Sequence, residues 1–193
     1  MRGHEIADDL SSHFVLFSCE GAAEGVVVDK LVSENALKIA KDRIVQDPIY
    51  FKPYTRLRKP EEIAQRFFGT SYTANGSSGL LLARIIDSRA PRFILPRRWV
   101  DSCVVENFYT RPEIEMLVIH AENAYEDWLR CSRKNRQLRP SEFCKGELKL
   151  HDIKSASYLA EYWTIESLTK AIRAYDAHRQ RASGELSLGD LLA

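Results

Sequence analysis

The sequence predicts an α/β domain: a mostly parallel sheet with helices on both faces, followed by a helical carboxy-terminal region. Three observations carry this expectation. Apolar runs of strand length occupy residues 13–19, 80–87 and 102–110. Segments with helical spacing alternate with them, as in βαβ units. The last 80 residues hold helical patterns and no further strand-like run.

The chain is 193 residues long with 45% hydrophobic and 10% aromatic residues, which suits one domain with a real core. It divides into a polar segment at 1–12, the α/β domain at 13–135, a helical extension at 136–182 packed on the same core, and a tail at 183–193. Lys and Arg number 28 against 27 Asp and Glu, so bulk charge argues neither for nor against nucleic acid and leaves that to a local basic patch. "MRGHEIADDLSSH" lacks the apolar core of a signal peptide, and no run reaches the length of a membrane span. A cytoplasmic protein away from the membrane is expected. Cys19, Cys103, Cys131 and Cys144 show no CxxC spacing and fit small apolar residues or surface thiols in a reduced compartment.

Taken in order, "HFVLFSC" reads as a buried strand, rich in Phe and Val. "EGAAEGVVVDKLVSEN" reads as a turn and a helix, with Ala23, Val27 and Leu31 beside Val28 and Val32 at spacings of three and four. An extended segment is expected around "IYFKPY". Pro60 opens a short helix, "PEEIAQRFF", which Gly69 stops. "GTSYTANGSSG" is a loop, and "LLLARIID" a second strand ending at Asp87. "SCVVENFYT" is the third strand. From Pro112 a long helix is expected, with Ile114, Leu117, Val118, Ala121, Tyr125, Trp128 and Leu129 on one stripe. A polar linker with a short helix follows. Two helices, "SASYLAEYW" and "IESLTKAIRAYDAHR", close the fold with Thr164 as N-cap between them. The tail "SGELSLGDLLA" reads as weakly ordered or as a partner-docking segment.

Acidic residues recur at the predicted strand ends: Glu20 after the first, Asp87 after the second, Glu113 and Glu115 after the third. In open parallel sheets functional groups gather beyond the carboxyl ends of the strands. Converging carboxylates can bind a hard divalent cation, or hold one of their number protonated as a general acid or base. The bland alternative is that Glu20, Glu24, Glu113 and Glu115 sit at helix starts to meet the dipole, and Asp87 is a turn residue.

"CEGAAE" between a strand and a helix resembles the first motif of TOPRIM domains, where a strand ends in Glu-Gly and a second acid follows. "LLLARIIDSR" is similar to the strand that ends in their Asp-x-Asp motif, and "TRPEIEMLVIHAENAYEDW" to the Glu-bearing segment after it. The nearest variants are the RloB- and OLD-type TOPRIM-like proteins of bacterial anti-phage systems, and the resemblance covers roughly residues 13–130. It implies a TOPRIM-like (Rossmann-like) sheet and Mg²⁺- or Mn²⁺-dependent, nuclease-like phosphodiester chemistry on nucleic acid. It further implies Glu20 and Glu24 as catalytic acids, Asp87 with Glu113 and Glu115 as metal ligands, and a homodimer or a protein of the same defence operon as partner. One departure matters. Asp87-Ser88-Arg89 puts an arginine where the second Asp belongs. Arg89 could contact a substrate phosphate, or pair with Glu20 in a catalytically inactive TOPRIM-like module that binds nucleic acid, a nucleotide or a partner protein.

Arg97 and Arg98, with Arg89 and Arg92, form a basic segment carrying Phe93 and Trp99, which suits phosphate contact and stacking or else a solvated loop anchored by its aromatics. "YTRLRKP" adds Arg56, Arg58 and Lys59. His120, seven residues after Glu113, could face the acids or be an ordinary packed histidine. No GxxxxGK[ST] and no G-x-S-x-G occurs, which excludes a P-loop and leaves a serine hydrolase without support.

Overall fold

The computed structural model describes residues 2–87 and 93–193. Four strands, β1 (Phe14–Cys19), β2 (Tyr54–Thr55), β3 (Leu80–Ile86) and β4 (Cys103–Tyr109), form one sheet in the order β2-β1-β3-β4. Every pairing is parallel. The register runs from Phe14 opposite Leu80 to Cys19 opposite Ile85, and from Leu80 opposite Cys103 to Ile86 opposite Tyr109. β1, β3 and β4 therefore end nearly level, and their next residues emerge at one edge.

All of β3 is buried. This accounts for the unbroken apolar run "LLLARII": a central parallel strand is covered on both faces and cannot alternate. Val15, Phe17, Cys19, Leu81, Ala83, Ile85 and Phe108 point into the larger core. That core is closed by α1 (Arg2–Ser12), α2 (Ala22–Ser33), α4 (Met116–Ala121), α5 (Tyr125–Lys134), α6 (Pro140–Gly146), α7 (Ala156–Tyr162), α8 (Ile165–His178) and α9 (Leu188–Leu191). On the opposite face Leu16, Leu80 and Leu82 meet Ile63, Ala64 and Phe67 of α3 (Pro60–Phe67), which Pro60 opens as expected. Helices cover both faces, but unequally.

Four elements differ from the sequence expectation. The extended segment expected around "IYFKPY" is a turn at 48–50 with Phe51 left-handed, closed by backbone hydrogen bonds to Asp47, and only Tyr54–Thr55 is strand. Residues 2–12 are a helix that buries Ile6 and Leu10, not merely a polar segment. Two apolar residues one turn apart suffice to dock it, though the helix is otherwise polar. The helix expected from Pro112 is two, α4 and α5, broken at Asn123, whose φ of +53° is a left-handed conformation that asparagine tolerates. The segment at 183–193 docks on the core through residues 186–192. Leu188 and Leu191 are fully buried, Leu186 bridges Phe108 in parallel beside β4, and Leu192 bridges Leu37. Arg181 ties it down through Asp176 and Asp190. Thr164 caps α8 in a reciprocal arrangement with Ser167.

Candidate functional site

β1 delivers its last buried residue, Cys19, and the chain leaves the sheet at Glu20. Burial, followed by the charge of Glu24, pushes the Cys19 thiol well up, so it stays protonated and inert. Gly21 is the N-cap of α2 in an extended conformation, without a side chain to cap the helix. The reason for glycine there is spatial: a Cβ would stand 2.6 Å from Oε2 of Glu24. Glu24, in the first turn of α2, is only 6% exposed.

The other acids come to the same edge. Oε2 of Glu20 accepts a hydrogen bond from the backbone N–H of Asp87 at 3.3 Å, which locks the end of β1 to the end of β3. Glu24, Asp87, Glu113, Glu115 and the exposed Lys154 line one open cleft of roughly 190 Å³. Glu115, which precedes α4, is 6% exposed, and Oε2 of Glu113 accepts from the backbone N–H of Ser141 in α6 at 3.0 Å. Burial raises the Glu24 carboxyl above its ordinary range, and the charges of Glu115, Asp87 and Glu20 add to it, against a hydrogen bond at its own backbone. Burial likewise raises Glu115. Glu113 and Asp87 push the same way, while its own backbone hydrogen bond and Lys154 oppose. Two buried acids are thus poised to hold a proton or to welcome a cation.

Among the described residues no three His, Cys, Asp or Glu side chains form a group able to hold a metal ion. The carboxylates are offered singly or in pairs. That donor set still suits Mg²⁺, which takes one or two carboxylates and fills its octahedron with water and substrate phosphate.

Cations flank the acids on the sheet's smaller-core face. Nη1 of Arg58 lies 3.7 Å from Oε1 of Glu20, and its Nη2 donates to the Glu20 carbonyl. Arg84 of β3 is only 8% exposed, and its Nη1 donates to Oδ1 of Asn107 at 2.9 Å. The Phe93 ring covers it, 4.3 Å from the guanidinium carbon. Burial lowers the Arg84 pKa, with the nearby Glu20 and Tyr109 opposing. Ser18, Arg84 and Asn107 are register neighbours across three strands and form a polar row beneath the cleft edge. No motif or spacing in the sequence singles out Arg84, Asn107 or Lys154. The available signal was an arginine inside a strand with no other polar residue.

Arg97 and Arg98 do not join this site. They lie in the 3-10 turn Arg97–Ser102 that leads into β4, at the amino end of the sheet where Cys103 pairs with Leu80. A seven-residue strand, about 20 Å, separates them from the acids. Trp99 packs edge-on against Phe68, and Phe93 and Trp99 both rest on the smaller core, as anchoring aromatics do. Arg89 and Arg92 lie outside the described residues. His120 turns from the acids to stack on Tyr125 and His178, with ring centroids 4.7 and 5.3 Å away. Burial, and then His178, push it down to about 4, so it is neutral at physiological pH.

No family model, curated protein or solved structure matches the chain. The site's meaning rests on its own residues.

Proposed function

We propose that the carboxylate cleft binds Mg²⁺ or Mn²⁺ and serves nuclease-like phosphodiester chemistry on nucleic acid, in a TOPRIM-like domain. The observation that carries this is the gathering of Glu20, Glu24, Asp87, Glu113 and Glu115 at the carboxyl edge of a parallel sheet, with Glu24 and Glu115 buried. Four carboxylates, Glu24, Asp87, Glu113 and Glu115, line one small cleft with Glu20 beside it, and a cation or a shared proton relieves their mutual repulsion. A bound cation would supply Lewis-acid stabilisation of a phosphoryl oxygen.

The chain's own groups have separate tasks in this reading. Glu24 or Glu115, raised by burial, holds a proton for a leaving oxygen. Glu20 fixes the ends of β1 and β3 through Asp87. Arg58 and Arg84 place positive charge beside Glu20, where a phosphodiester would approach. The anti-phage setting and a partner from a defence operon rest on the sequence resemblance alone.

The test is cleavage of end-labelled DNA and RNA with and without Mg²⁺ or Mn²⁺. Metal-dependent cleavage that Glu24→Gln and Asp87→Asn abolish supports the proposal; metal-independent cleavage, or cleavage untouched by both, sinks it. A second reading, a binding module without catalysis, is favoured by the Arg58–Glu20 pair and by the lack of a three-ligand group among the described residues. Nucleic-acid binding with no cleavage under any metal would select it.

A further inference from the structure

Residues 47–53 form a loop that sends apolar side chains into solvent. Ile49, Tyr50 and Phe51 are 55%, 68% and 77% exposed, among the most exposed large apolar residues of the fold. The loop is not loose. Asp47 is fully buried beneath it, and its Oδ1 accepts from the backbone N–H groups of Ile49 and Tyr50 at 2.9 and 3.3 Å. Its backbone closes the turn with Lys52 and Phe51, both at 2.8 Å, and Arg66 of α3 pairs with its Oδ2 at 3.3 Å. Lys52 is held in turn by Asp29 of α2 at 2.7 Å.

Phe51 has a φ of +53°. A bulky side chain is disfavoured there, and glycine would remove the strain. An aromatic ring that stands 77% in water buries little apolar area, and at a strained φ it points to a use outside the chain. The flanking chemistry says with what: residues 48–60 carry Lys52, Arg56, Arg58 and Lys59 and no acidic residue. Lys52, Arg58 and Lys59 are solvent-exposed cations paired with Asp29, Glu20 and Glu62, and such surface pairs contribute little and can exchange for another anion; Arg58 also donates to the Glu20 carbonyl. From Phe51 to Arg58 is seven residues, a reach of at most about 25 Å. Arg58 ends that track on Glu20, at the carboxylate cleft.

We propose that the Ile49–Phe51 loop is a stacking platform for unpaired bases of single-stranded nucleic acid, whose backbone follows Lys52, Arg56 and Arg58 towards the cleft. Stacking on aromatic rings needs bases free of a duplex, and a basic track beside them holds the phosphates. The inference rests on the proposed function for its direction, and names the kind of nucleic acid that site receives.

The experiment is anisotropy of a labelled oligothymidylate of about 20 nucleotides, and of a hairpin duplex of equal length, titrated with the full chain in EDTA. The expected result is binding to the single strand that weakens steeply with salt and exceeds binding to the duplex. Tyr50→Ala and Phe51→Ala each weaken it about tenfold, and Phe51→Trp retains it. Thermal melts check folding, and Phe51→Gly should melt no lower than the native chain. Equal affinity for duplex and single strand, indifference to both alanine variants, or no binding at all overturns the proposal. So does binding to phosphatidylserine vesicles, or self-association, that the alanine variants abolish while oligothymidylate binding persists. Without a divalent ion no cleavage enters the readout. A protein that binds as expected but never cuts refutes only the proposed chemistry, and one that cuts while ignoring the loop refutes only this inference.

Discussion

Gly21→Ala tests whether the placement of Glu24 matters. The new Cβ would lie 2.6 Å from Oε2 of Glu24, whereas ordinary contact begins at 3.4 Å. The carboxylate must therefore move by about 0.8 Å, which the open cleft it lines allows at the cost of its place in the site. A displacement near 1 Å at a reacting group costs on the order of 10²-fold in rate, so metal-dependent cleavage should fall by about that factor. Alanine is also a poorer N-cap than glycine, which costs about 1 kcal/mol and about 2–4 °C in Tm. Gly21→Ser separates the two effects. Its hydroxyl can accept from the open N–H groups of α2 and restore stability, yet its Cβ displaces Glu24 just the same. The assay is cleavage rate beside a thermal melt for both variants. Gly21→Ala at full activity while Glu24→Gln is dead would refute the argument, because the Glu24 position would then not be what the site depends on.

The remaining predictions concern stability. Leu191→Ala should cost about 2–5 kcal/mol, a Tm fall of about 4–20 °C, and truncation after Glu185, which removes four buried leucines, about 6–12 kcal/mol, enough to unfold most domains; a truncated chain with a native melt would show the segment to be dispensable. Glu24 and Glu115 have folded pKa values above the ordinary 4.5, so their contribution is fully present below that value and is lost as pH rises through the folded ones. Glu24→Gln and Glu115→Gln should accordingly melt higher than the native chain at neutral pH, with the gap closing towards pH 4.5, and differential scanning across pH would expose the opposite trend. Asp47 runs the other way. Burial raises it, but the N–H of Ile49, the Thr55 hydroxyl, the N–H of Tyr50 and the charge of Arg66 leave it below the ordinary 3.8. Its stabilisation is present above that value and lost as pH falls through the lower folded one. Asp47→Ala should cost about 1.5–3 kcal/mol and raise protease sensitivity between residues 47 and 53, and an unchanged melt and digestion pattern would contradict this.

Much of the sheet was legible because buried parallel strands are apolar on both faces. The expected runs at 13–19, 80–87 and 102–110 became Phe14–Cys19, Leu80–Ile86 and Cys103–Tyr109. The acids at the ends of β1 and β3 were readable for the same reason, since a charge stands out where such a run stops. The rest depended on tertiary contacts. In 183–193, Leu186, Leu188, Leu191 and Leu192 follow no regular period, and their burial comes from bridges to Phe108 and Leu37, far away in sequence. Arg84 was hidden inside the run that identified its strand, and its place beside Asn107 follows from register. Arg97 and Arg98 look adjacent to Asp87 in the chain but stand at the other end of the sheet, because a parallel strand must first return to its start. Asn123 broke a stripe whose spacing runs through the break.

Direct titration of the protein with Mn²⁺, followed by the electron paramagnetic resonance of the free ion, tests the central claim most plainly. Saturable binding at the cleft is expected, competed by Mg²⁺ and lost in the Glu24→Gln, Glu115→Gln double variant while that variant remains folded. A native chain that leaves all the Mn²⁺ free, or a double variant that binds it as the native chain does, would contradict it.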